Sequence, residues 1–191
     1  MGSSQELRER QMSMPDPRRD FRRKEFDVFA AELGRTLLIW NDLHLSIGGI
    51  FWALTKIPNA LIPGAIWHAL KVDRAQRDMA LALAQLDAFG HDIPLVLRTE
   101  IKWLLDRVEG LEQDRNNLAH SPFFEAQGRI STLHLGQHKR GLEIENRDPV
   151  AYCRWFYDTA VCLRDYAGCL EDAIRQQQQT APPRPKLPTR T

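Results

Sequence analysis

The sequence predicts a mainly α-helical protein with one small β-hairpin inserted before its last helix. Three observations carry that prediction. Apolar residues recur at three- and four-residue intervals through several long stretches. Proline and glycine punctuate the boundaries between those stretches. Between Pro122 and Asp148 the period changes to alternation, which belongs to strands.

Residues 1–18 mix Gly, Ser, Met and two prolines with charges and lack apolar periodicity, so a flexible N-terminal arm is expected. Arg18, Arg19, Arg22, Arg23 and Lys24 follow as a basic cluster, read either as a solvated helix start or as a phosphate-tracking arm. From Asp20 to Lys56 the positions Phe26, Phe29, Leu33, Leu37, Trp40, Leu43, Ile47, Ile50 and Leu54 keep helical spacing. They predict one long helix, or two broken at Gly34 or Gly48-Gly49. Asn41, Asp42 and His44 interrupt the apolar run, as a solvated strip or as part of a cleft.

Pro58 and Pro63-Gly64 mark turns around a short, largely buried helix within Asn59–Leu70. Asp73 is an expected N-cap for a helix over Arg74–Ala88, with Met79, Leu83 and Leu86 on one stripe. Arg74 and Arg77 lie in its first turn, where the helix dipole disfavours cations. That makes both candidate phosphate contacts, with an ion pair to Asp73, Asp78 or a neighbouring helix as the plainer alternative. Asp92 and Pro94 begin the next helix, whose stripe runs through Leu97, Ile101, Leu104, Leu105, Val108, Leu111 and Leu118. Gly110 within it permits close packing, as at a dimer interface. Glu109, Glu112 and Asp114 are the acids nearest in sequence to Arg115 and candidates to hold its guanidinium.

After Pro122 the alternation over Ile130–Leu135 and Leu142–Glu145, around the turn Gly136–Gly141, predicts a hairpin within about residues 123–146, with a third short strand at Phe123–Ala126. Lys139 and Arg140 make its tip basic and are candidate substrate contacts. Asp148-Pro149 supplies the N-cap and first residue of a last helix reaching about Gln178. Residues 19–179 thus form one helical domain, and the Pro-rich end, 180–191, is expected to be disordered.

Composition narrows the function classes. The 191 residues carry 26 basic and 25 acidic side chains, a net charge of +1, so any RNA contact relies on a local patch rather than an overall basic field. Cys153, Cys162 and Cys169 are too few and wrongly spaced for a disulfide framework or a zinc site, which fits a reducing cytoplasm. No apolar leader and no membrane span is evident, so a cytoplasmic protein without membrane association is expected. Walker, dinucleotide-binding, zinc-protease, CxxC and nucleophile-elbow motifs are absent. No acid and histidine cluster suggests a metal, and no cofactor is called for.

What remains is Asp114-Arg115-Asn116-Asn117-Leu118-Ala119-His120-Ser121-Pro122. Ser121-Pro122 should end the long helix, because proline has no N–H to donate and biases its predecessor away from the α region. His120 therefore sits at a helix C-terminus, where an imidazole can exchange protons near neutral pH. Arg115, about a turn and a half earlier, offers a permanent forked cation suited to phosphate oxygens.

Arg115-Asn116-Asn117-Leu118-Ala119-His120 resembles the R-N-x-x-x-H signature of the HEPN superfamily (higher eukaryotes and prokaryotes nucleotide-binding). The resemblance covers about residues 20–178, with only Arg115, Asn116 and His120 matching motif positions. It implies an antiparallel, up-and-down helical bundle that dimerises and places two motifs in one composite cleft. It implies metal-independent RNA cleavage, with His120 as general acid or base, Arg115 stabilising phosphoryl charge and Asn116 orienting ring or phosphate. It also implies a toxin or phage-defence role, possible only with restraint by a partner such as a nucleotidyltransferase antitoxin. A second reading stays open: a non-catalytic module that binds nucleotide or RNA, or in which Arg115 and His120 only cap helix ends and bridge a dimer.

Overall fold

Helix α1 (Pro17–Thr55) runs unbroken through every glycine that could have interrupted it. A Cβ at Gly48 would stand 3.1 Å from the Trp67 ring and one at Gly49 2.1 Å from the Glu171 carboxylate, so these glycines permit close approach rather than a bend. The computed structural model describes residues 17–87, 93–121, 123–126, 129–132, 144 and 147–190. Among them follow α2 (Leu61–Ala69), α3 (Asp73–Gln85), α4 (Leu95–His120), the strands β1 (Phe123–Ala126) and β2 (Arg129–Thr132), and α5 (Pro149–Arg175). The protein is mainly helical, as the apolar period requires.

Cross-helix contacts give the direction of each element. Thr36 meets the Cys153 carbonyl at 3.5 Å, Asp42 meets Arg164 at 3.7 Å, and the Arg175 guanidinium lies 4.0 Å from the Trp52 ring centre. Residue numbers rise together, so α1 and α5 are parallel. Glu100 bonds Tyr166 and Asp114 bonds Tyr152, so α4 runs against α5. Asp73 meets Arg115 and Arg77 meets Glu112, so α3 also runs against α4. Helix α2 turns back along α1, with Trp67 packed 5.6 Å from Phe51. Directions therefore alternate along the chain, as an up-and-down bundle requires. The expected antiparallel packing is nonetheless corrected at the α1–α5 contact, because the first and fifth helices of an alternating series point the same way.

Leu43, Ile47, Ile50 and Leu54 of α1, Leu97, Ile101, Leu104 and Leu118 of α4, and Phe156, Leu163 and Leu170 of α5 form the fully buried centre. Each such side chain contributes about 1.5–3 kcal/mol of burial. Helix α2 departs from expectation: it buries Pro63 and Trp67 but leaves Leu61, Ile62 and Ile66 exposed. On α3 the buried side is Gln76, Arg77, Ala80 and Ala84, with Leu86 exposed. Asp148 caps α5 as expected, accepting the Val150 N–H at 2.9 Å with Pro149 behind it. Residues Lys24–Thr55 prove long and apolar enough to cross a membrane by length and composition, unlike the sequence expectation, and half of the most apolar window is buried.

Strands β1 and β2 pair antiparallel, Phe123 opposite Thr132 and Ala126 opposite Arg129, with the Phe123 ring tilted against Phe29 of α1 at 4.6 Å between centroids. Most of the expected turn and return strand, including Lys139 and Arg140, lies outside the described residues. The C-terminal segment corrects an expectation. Residues 180–190 carry no regular structure, yet they lie along α4 and α5, with Ala181 and Leu187 partly buried against the core. Disorder was inferred from low apolar content, but aromatic and acidic side chains on the helices supply the contacts instead.

Truncating Phe156, fully buried against Trp40, should cost about 3–5 kcal/mol. Urea unfolding of Phe156→Ala should therefore show a lower midpoint with an unchanged slope.

Candidate functional site

The candidate motif occupies the last turn and a half of α4, which ends at His120 as the Ser121-Pro122 stop requires. Ser121 is extended (ψ 138°) and its N–H bonds the Asn117 carbonyl at 3.1 Å. Four consecutive residues here serve different neighbours, since successive helical positions turn by about 100°. Asp114 is buried toward α5 and bonded to Tyr152. Arg115 reaches α3 and α1. Asn116 is half-buried, and Asn117 is fully buried with its Oδ1 accepting from Gln113 at 3.0 Å. His120 is exposed and four residues after Asn116, so the two share a helix face.

Arg115 is the best-anchored member. Its Nη2 donates to Asp73 Oδ2 at 3.1 Å, and its guanidinium lies 5.2 Å from the Trp40 ring centre. The same Asp73 oxygen accepts the Trp40 indole N–H at 2.8 Å. Arg115 retains 21% of its side-chain exposure and Asp73 34%, so the pair sits at the rim of the bundle rather than sealed inside it. Its Nε is buried without a hydrogen-bond partner. The partner acid is thus none of Glu109, Glu112 and Asp114. Sequence neighbours on the same helix point elsewhere, whereas α3 lies directly across from the guanidinium.

Asp73 does not cap α3 as expected. Val72 holds the N-cap position, and the Asp73 carboxylate turns to Trp40 and Arg115. Arg77, one turn later, is 3% exposed, forms an ion pair with Glu112 and approaches His44 Nε2 at 3.3 Å. This corrects its candidacy as a substrate contact and agrees with the alternative of an ion pair to a neighbouring helix, because one helical turn carries Arg77 from the rim to the α3–α4 interface. Arg74 keeps an exposed position, 3.9 Å from Asp78. The acids and histidines of the described residues form no cluster able to hold a metal ion.

His44 closes the network. Its ring lies tilted against Trp40, 4.7 Å between centroids, and the residue is 7% exposed. Burial drives its pKa below the usual imidazole value, with Arg77 adding to the depression and Asp73 opposing it. A neutral ring whose Nε2 accepts from Arg77 fits that direction. His44 and Glu112 are candidates from sequence, but Trp40 and Asp73 are not evident there as site residues. Trp40 reads as core, Asp73 as a cap, and their convergence depends on packing three helices. A cavity of about 520 Å³ lies elsewhere, lined by Trp52, Ile57, Ile93, Leu97 and Arg175, and contains no motif residue.

Two stability measurements check this geometry. Arg77→Met strands Glu112 at the helix interface and should cost about 3–5 kcal/mol in chemical denaturation. His44 is neutral in the fold but takes a proton when unfolded below about pH 6.5. Stability should therefore fall as pH drops below that value, by up to about 1.4 kcal/mol per unit from this group. His44→Gln should remove that part of the slope, and an unchanged slope would exclude His44 as its source.

Comparison with protein-family models, with curated proteins and with solved structures yields no match for this chain.

Proposed function

We propose that the end of α4 is half of a composite site for metal-independent RNA cleavage of the HEPN type, completed by the same helix end of a second copy. The observation that supports this best is an Arg115 guanidinium held at the rim by Trp40 and Asp73, on the helix end that also carries an exposed His120. A cation held in place and an imidazole at the same helix end are what in-line attack at a phosphodiester uses.

In the proposed reaction the ribose 2′-oxygen attacks phosphorus while a motif histidine takes its proton. The bond from phosphorus to the 5′-oxygen breaks, and the other protomer's histidine protonates that leaving oxygen. The products are a 2′,3′-cyclic phosphate and a 5′-hydroxyl. Arg115 exchanges the Asp73 carboxylate for the phosphoryl oxygens and stabilises their growing charge. Asn116, on the His120 face, orients ring or phosphate. Arg74, exposed and adjacent in sequence to Asp73, is assigned to follow the RNA backbone. Lys139 and Arg140 are assigned the same role. Such an enzyme acts as a toxin or phage-defence effector and requires restraint by a partner protein.

A second reading has its own support. The Asp73 carboxylate already neutralises Arg115, which suits a non-catalytic nucleotide-binding or dimer-bridging module. Single-stranded RNA incubated in excess EDTA separates the two readings. Wild type should release cyclic-phosphate ends, with His120→Ala slower by at least about 10²-fold. Arg115→Ala should lose about 10²–10³-fold, and DNA should be inert for want of the 2′-hydroxyl. Circular dichroism establishes that both variants fold. No cleavage by wild type across RNAs of varied sequence and structure selects the binding module. Equal cleavage by all three proteins removes the motif from the chemistry.

A further inference from the structure

The groove between α4 and α5 holds residues 180–190 by a repeated device. At one end Arg184 donates two parallel bonds to Glu100, at 2.7 and 3.0 Å, and stacks 5.0 Å from the Trp103 ring centre. The Tyr166 hydroxyl lies 2.8 Å from the same carboxylate and 3.3 Å from the Pro182 carbonyl. At the other end Arg190 pairs with Asp114, donates to the Tyr152 hydroxyl at 2.8 Å and stacks 5.2 Å from Trp155. The Trp155 indole N–H donates to the Pro188 carbonyl at 3.3 Å. Each station thus has an acid from α4, a tyrosine from α5, a tryptophan, and the carbonyl of a proline two residues before the arginine.

The spacing shows why one segment fits both stations. Glu100 and Asp114 are fourteen residues apart on α4, as are Tyr166 and Tyr152 on α5, about 21 Å of helix. Arg184 and Arg190 are six residues apart, about 19 Å of polyproline II helix. Six residues make two turns of that helix at three residues per turn, so both arginines fall on one side. Ala181 and Leu187 occupy the same period, and both are partly buried. The carbonyls of Pro182 and Pro188, also six apart, face the groove. Proline stiffens the segment before it docks, which lowers the ordering cost.

Both stations are peptide-recognition chemistry: backbone carbonyls read by side-chain donors, and guanidinium groups read by an acid plus a ring. Arg184 bonding holds the Glu100 carboxyl below the usual range. Yet Arg184 and Arg190 keep 47% and 43% of their side-chain exposure, and no backbone ladder or covalent tie fixes the segment. The acids are nearly buried, at 12% and 8%, so each pair opens to water on its arginine side only.

We propose that the α4–α5 groove is a binding site for an extended, proline-stiffened segment of another protein carrying two arginines six residues apart, with residues 180–190 as its resident, exchangeable occupant. The proposal does not depend on the ribonuclease reading, because Glu100, Trp103, Tyr152, Trp155 and Tyr166 lie outside the motif. The resident segment competes in cis at an effective concentration on the order of millimolar, so a partner gains access by matching both stations.

The test uses the full chain and a fluorescein-labelled peptide of residues 180–190. In R184Q/R190Q the resident segment loses its anchors while the groove is unchanged. Anisotropy should show the peptide binding this variant at least about tenfold more tightly than wild type. Adding Glu100→Gln to the variant should abolish the gain, and a peptide with both arginines replaced by glutamine should bind neither protein. Quenching of Trp103 and Trp155 fluorescence reports that the peptide occupies the groove. Failure of the peptide to bind R184Q/R190Q, with thermal unfolding like wild type, overturns the proposal and leaves the segment a structural strap. Binding indifferent to Glu100→Gln or to the peptide's arginines overturns it equally.

Discussion

A guanidinium placed below the surface must meet a carboxylate or a ring, and that requirement sets how α1, α3 and α4 meet. Arg77 and Arg115 both enter the junction of these helices. Arg77 takes Glu112 and His44, and Arg115 takes Asp73 and Trp40. Apolar packing alone tolerates sliding of one helix past another by exchanging similar side chains. These ion pairs do not, since a slide of one turn leaves a buried charge alone. The register that brings Arg115 to the rim therefore follows from its own pair with Asp73 and from the Arg77–Glu112 pair beside it.

Helix α4 divides its polar residues between two neighbours. Glu112 and Arg115 face α3, while Glu100 and Asp114 face α5 and the C-terminal segment. Asp114 and Arg115 are adjacent in sequence yet belong to different networks, because one residue turns the side chain by about 100°. An acid beside Arg115 in sequence consequently does not dilute its positive potential in the way linear distance suggests. The acid that does so comes from another helix.

Much of this fold was legible in the sequence, and the limits have physical causes. The apolar period marked α1, α4 and α5, Ser121-Pro122 fixed where α4 stops, and Asp148-Pro149 marked where α5 starts. Those signals are local, carried by backbone preference and side-chain period. Asp73 was read as a cap because capping is also local, whereas its pairing with Arg115 spans 42 positions and emerges only on packing. Gly48 and Gly49 looked like breaks for the same reason, their use being room for Trp67 and Glu171. The C-terminal segment was misread through composition. Its three-residue period in Ala181, Arg184, Leu187 and Arg190 was present in the sequence, but neither helix nor strand periodicity detects it.

The competition at Arg115 bears on both functional readings. A phosphodiester and a carboxylate each carry one negative charge, so RNA would compete with Asp73 for the same guanidinium. Release of Asp73 is eased by the Trp40 indole N–H, which stays bonded to the same oxygen and keeps the carboxylate from being stranded. Geometry favours the phosphate: it can accept parallel bonds from the guanidinium fork, while Asp73 takes a single Nη2 contact at 3.1 Å. The Trp40 face holds the guanidinium in place during the exchange. On the ribonuclease proposal, an arginine positioned by Trp40 and only singly bonded to Asp73 is the one that would trade that carboxylate for an incoming phosphate.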